Sequence, residues 1–177
     1  MQAVKNVVSR VFGWASVIIF AVLVCTTVWQ VFTRQVLNSP STWSEEFAKI
    51  CFVWLSFLGA AFVFGERGHI AVDFLARQAP LGIQRVFASL VQVAILIFAA
   101  LGMVWGGIRA ASIAWNQNLT ALPFTIGWVY IVIPIAGIAI AFFSVIDLIN
   151  VLKGDEPPYP DIDEADEPRG LEEAQEA

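Results

Sequence analysis

Charge is what this sequence has least of. Only 14% of its 177 residues are Asp, Glu, Lys or Arg, against 58% hydrophobic, and the mean hydropathy is +0.73. That leaves too few polar side chains to cover a soluble particle of this size, so its surface calls for lipid. Histidine is nearly missing: a single His69 cannot supply a bis-histidine haem or a His-rich metal site. The two cysteines, Cys25 and Cys51, each lie inside an apolar run and read as small buried or lipid-facing residues, not as halves of a disulfide or metal site. No catalytic triad, glycine-rich phosphate loop or metal-ligand spacing appears. The reading is therefore not an enzyme, with no cofactor or metal in this chain and no nucleic acid among its partners.

What charge there is sits unevenly. Residues 151–177 hold ten acids against Lys153 and Arg169, a net −8, so the rest of the chain carries +3 of the total −5. With Pro157, Pro158, Pro160 and Pro168 among those acids, the tail has too little apolar surface to offset the entropy of ordering it. It is expected to be a disordered, acidic, cytoplasmic tail.

The body, residues 1–150, reads as an all-α transmembrane domain. A bilayer core of about 30 Å needs about 20 helical residues, and four apolar runs reach that length: 11–32, 47–64, 86–108 and 126–146. Open strands would leave backbone groups unsatisfied in hydrocarbon, and the alternation of a barrel is absent, so each run should be a helix. The first run is longer than a signal-peptide core of about 7–15 residues, and no small-residue cleavage site follows it, so it is expected to stay as an anchor. Lys5, Arg10, Arg67, Arg77, Arg85 and Lys153 fall on one side of these spans, and Arg34, Lys49 and Arg109 on the other. That excess predicts both termini and the middle loop in the cytoplasm. Trp29, Trp43, Trp115 and Trp128 then form an outer aromatic belt, with Trp14 at the inner face.

Three stretches carry candidate functional residues. Between the first two spans, Thr42 and Glu45 have the spacing of a capping box, and Glu45 and Lys49 that of an i,i+4 ion pair. Neither explains Glu46, a carboxylate one step into a membrane helix, which is expensive unless it faces protein or headgroups; it is the better candidate for an intersubunit contact. In the second span Ser56, Gly59, Ala60 and Ala61 form a small-residue patch, and Gly102, Gly106 and Ala110 a similar row in the third. Packing within the chain explains such rows as well as a partner does.

The middle loop is the third stretch. A helix over 70–78 would line His69, Asp73 and Arg77 along one face and Ile70, Phe74 and Leu75 along another, giving a short interfacial amphipathic helix ended by Pro80. Asp73 and Arg77 should pair, and His69 serves as a helix-start hydrogen bond or a headgroup contact more readily than as a proton carrier. The span interiors offer only isolated neutral groups, Thr26, Thr27, Gln30 and Gln92, while Arg109 and Asp147 are expected to snorkel from span ends. A transporter normally shows carboxylates or paired polar groups near mid-bilayer. Their lack points to a scaffold or accessory subunit. An autonomous four-span exporter working as a homodimer is the alternative, but it would need an ionisable residue inside the first span.

Residues 34–73 resemble the small membrane subunit, the DctQ family, of tripartite ATP-independent periplasmic (TRAP) transporters. The resemblance rests on Arg34, Asn38-Ser39-Pro40, Trp43, Glu45-Glu46, Phe52-Val53-Trp54-Leu55, Phe57-Leu58-Gly59-Ala60-Ala61, Arg67, His69-Ile70 and Val72-Asp73. It implies a bacterial inner-membrane subunit that braces a large transmembrane permease subunit. That partner would import an organic anion, often a carboxylate, on a sodium gradient, fed by a periplasmic solute-binding protein. Sodium and substrate sites would then belong to the partner. Arg34, Trp43, Glu45, Glu46, Trp54, Gly59, Arg67, His69 and Asp73 are implied to serve structure and assembly.

Overall fold

A computed structural model describes residues 2–66 and 81–153. Its long elements are α1 (Gln2–Gln35) and α2 (Thr42–Gly65), then α3 (Leu81–Ile97), which runs through a π-helical stretch, Phe98–Trp105, into α4 (Gly106–Ala114). A short α5 (Gly127–Tyr130) precedes α6 (Val132–Lys153). Among the described residues the β content is one isolated bridge, Asn118 to Thr125. Four helical segments are long and apolar enough to cross a bilayer: Val4–Gln35, Thr42–Gly65, Val86–Ala114 and Gly127–Val151. The chain is a multi-pass membrane protein of all-α class. Each span outruns its apolar run, because polar end residues such as Lys5 and Arg34 join the helix rather than stop it. The predicted interfacial helix and the acidic tail beyond Lys153 lie outside the described residues.

Breaks between and within spans have local causes. After α1, Asn38 takes a left-handed conformation (φ 49°), which Asn tolerates better than most residues, and Pro40 disfavours a helical Ser39. Pro134 has no N–H to give the carbonyl of Tyr130, so the fourth span breaks at Ile131 into α5 and α6. In the third span the π stretch is where the Gly106 N–H is shared by the carbonyls of Leu101 and Met103.

Packing follows the order first, second, fourth, third span. The first lies along the second, and the fourth touches both the second and the third. The core is built mostly from small residues, Ala61, Ala99, Ala136 and Ala139, closed by Met103, Ile140 and Phe143. Small residues let helix backbones approach, which is what holds helices together where lipid removes the hydrophobic drive. Two glycines allow close approach of the third and fourth spans. A Cβ on Gly137 would fall 2.7 Å from Cβ of Met103, and one on Gly107 would fall 2.8 Å from Cδ of Pro134. The Gly102, Gly106 and Ala110 row is not this interface: a Cβ at Gly102 or Gly106 would meet only its own helix.

Candidate assembly site at the loop end

The end of the bundle that carries the loops after the first and third spans is assembled by α2. Ser41 precedes the helix in extended conformation (φ −91°, ψ 99°) and its side chain makes no capping hydrogen bond. The expected capping box of Thr42 and Glu45 does not form. Glu45 takes the Lys49 ammonium at 2.7 Å instead, because a full positive charge one turn on is a stronger donor than a backbone amide. The predicted i,i+4 pair is present, and it is solvent-exposed.

Glu46 reaches the other way, to the loop joining the third and fourth spans. Its Oε1 accepts the N–H of Thr120 at 2.9 Å, and its Oε2 accepts those of Ala121 at 2.8 Å and Leu122 at 3.1 Å. Three successive amides converging on one anion form a nest. The loop is closed below by Leu119 N–H donating to the Phe124 carbonyl (2.9 Å) and Ile126 N–H donating to that of Gln117 (2.8 Å). Glu46 thus satisfies backbone donors at the loop tip and ties the second span to the hairpin between the third and fourth.

Two turns along α2, Trp54 Nε1 donates to the Trp128 carbonyl at 3.3 Å. The Trp128 ring lies 5.6 Å from that of Trp115, and Gly127 makes this possible, since a Cβ there would sit 2.5 Å from Cε3 of Trp115. Trp43 is exposed at the same end, and Arg34 is exposed in the last turn of α1. Gly59 lies mid-span, where a Cβ would just touch Oγ of Ser16 at 4.0 Å; of its patch, Ser56 is exposed and Ala61 fully buried. Arg67, His69, Ile70, Asp73, Phe74, Leu75 and Arg77 lie outside the described residues. Glu46 and Trp54 are therefore brought together on one clip, while Arg34, Trp43 and the Glu45 to Lys49 pair stay on the outer surface.

Other polar contacts join residues far apart in sequence. Asp147 does not snorkel: it is buried and accepts Lys5 Nζ at 2.7 Å, with side chains 8% and 4% exposed. A carboxylate facing the bundle interior is stabilised by a cation from another helix rather than by the headgroups. Arg109 is exposed and sits over the Trp105 ring at 5.1 Å. Gln92 is not isolated, because its Oε1 accepts Ser144 Oγ at 2.7 Å across the third and fourth spans. Thr26 and Thr27 bond the carbonyls one turn back in their own helix. Among the described residues no cluster of His, Cys, Asp and Glu could hold a metal ion.

The fold and its polar contacts define an α-helical, multi-pass membrane protein whose side chains join its own spans. The family model described as "Tripartite ATP-independent periplasmic transporters, DctQ component" matches residues 23–154, and the chain belongs to that family. It is 24% identical over 153 residues to the Vibrio cholerae sialic acid TRAP transporter small permease protein SiaQ, covering 86% of this chain and 88% of the relative. It is 28% identical over 144 residues to the sialic acid TRAP transporter permease protein SiaT of Haemophilus influenzae, covering 80% of this chain and 22% of that longer one. To the Pseudomonas aeruginosa C4-dicarboxylate small permease protein DctQ it is 35% identical over 83 residues, 47% of this chain and 37% of the relative.

Proposed function

We propose that this chain braces the large permease subunit of a TRAP importer for an organic anion of the carboxylate class, driven by a sodium gradient and supplied by a periplasmic binding protein. The observation that carries the reading is the family match over residues 23–154, set beside span interiors whose Ser, Thr and Gln contacts are internal to the chain. Ion and substrate chemistry then falls to the partner. The match to only 22% of SiaT supports such a partner, since a permease protein of that kind holds a region like this one within a longer chain. Trp43, Arg34 and the Glu45 to Lys49 pair face outward at the loop end and are the assembly contacts of this reading, together with Gly59 and the middle-loop residues Arg67, His69 and Asp73. Glu46 and Trp54 act behind them, by holding the loop in shape.

The chain lies in a bacterial inner membrane with both termini inside. Even with Lys5 set aside as an ion-pair partner, Arg10, Arg67, Arg77, Arg85 and Lys153 outnumber Arg34, Lys49 and Arg109. Co-expression with the hydrophobic protein and the secreted binding protein encoded beside it should give a stable complex that takes up solute on a sodium gradient, and uptake should vanish when this chain is omitted. Recovery of the chain as a well-behaved monomer that binds no large membrane protein, or sustained ion-coupled uptake by the chain alone, would reject the reading.

A further inference from the structure

The opposite end of the bundle holds a second junction, unrelated to the loop clip. There α1, α2 and α6 meet closely: a Cβ on Gly65 would fall 3.0 Å from Cβ of Ser9 and 3.1 Å from Cζ of Phe143. Ser9, itself buried, donates its hydroxyl to Oε1 of Glu66 just past the end of α2. Lys5, one turn before Ser9, meets Asp147, one turn after Phe143, at 2.7 Å with both side chains buried. A buried ion pair contributes little net stability over a packed apolar pair, because each charge must be taken out of water. What it supplies is selectivity, since a lone buried charge accepts one kind of neighbour and rejects the rest. Selectivity matters for α1 in particular, because it packs along α2 and not along the fourth span, so the contact between the first and fourth spans is concentrated at this junction.

We infer that the Lys5 to Asp147 pair is a clasp that fixes the first span against the fourth at this three-helix junction, and so sets the outline of the wall the bundle presents to the membrane and to any partner. The clasp is a property of the isolated chain and does not depend on the importer reading.

Spin labels at Val7→Cys and Val145→Cys, both exposed positions, placed in a background with Cys25→Ser and Cys51→Ala, report the separation of the two spans in vesicles. Asp147→Asn should broaden the distance distribution at least about twofold, by leaving the buried Lys5 ammonium without its carboxylate, and Lys5→Met should broaden it as well, by taking the first span's cation out of the junction. The charge reversal K5D/D147K should restore much of the parent distribution. Single variants that match the parent, or a reversed pair no better than the singles, overturns the proposal. If the singles do not accumulate, K5M/D147L, which leaves no buried charge, carries the test: a broadened distribution supports the clasp and a parent-like one overturns it.

Discussion

The first and fourth spans are both strongly apolar, yet little of the first is buried within the chain while much of the fourth is. In a soluble protein, apolarity of that degree would place both in the core. In a membrane it says only that each faces something other than water, and what separates core from wall is residue size. The buried face of the fourth span carries Ala136, Ala139 and Gly137, which admit neighbouring backbones, whereas the first turns Val11, Trp14, Val17 and Phe20 outward.

Substitutions can break or sharpen that contrast. The largest effect is expected at Gly137→Leu, which drives a side chain into Met103 and Val104 and should cost about 3 kcal/mol, occasionally more, for overpacking. A sharply lowered unfolding midpoint in detergent would show it, and a parent-like midpoint would mean the third and fourth spans do not pack as described. Next comes Glu46→Gln, which replaces an anion held by three amides with a neutral group. Hydrogen exchange at Thr120, Ala121 and Leu122 should speed up by about tenfold, while Glu45→Gln should leave those amides unchanged. Equal effects from the two carboxylates would dissolve the distinction between clip and surface pair.

Smaller still is the cross-span bond of Ser144 to Gln92. A double-mutant cycle of Ser144→Ala and Gln92→Leu should give a coupling of roughly 0.6 kcal/mol, the usual scale for hydrogen bonds between membrane helices. Smallest of all, Val17→Leu on the exposed face of α1 should shift stability by no more than about 0.5 kcal/mol. A large loss there would mean that the face is covered within the chain after all.

The four spans were legible from run length alone, because the bilayer imposes a length that apolar runs report directly. The Glu45 to Lys49 pair was legible for a similar reason, being local. Contacts set by the fold were not. Lys5 and Asp147 are separated by 142 positions, and Glu46 and Ala121 by 75; nothing near any of these residues in sequence announces its partner. Glu46 did leave a trace as a carboxylate without a local role. Asp147 left a similar one, but a position near a span end is compatible with headgroups as well as with a partner inside the bundle. Pro134 marked its break in plain view, whereas the π stretch has no composition of its own to reveal it.

The 34 residues of α1 carry a geometric consequence. From Lys5 to Arg34 the helix rises about 44 Å at 1.5 Å per residue, close to the roughly 40–45 Å of a whole bilayer with its headgroups. In a bilayer of that depth the helix can stand nearly upright, with Lys5 held on Asp147 near one end and Arg34 exposed at the other. A thinner one would oblige it to lean, and with Lys5 anchored to Asp147 the lean would swing the Arg34 end sideways, so that bilayer thickness becomes a variable to which the loop end of the bundle responds.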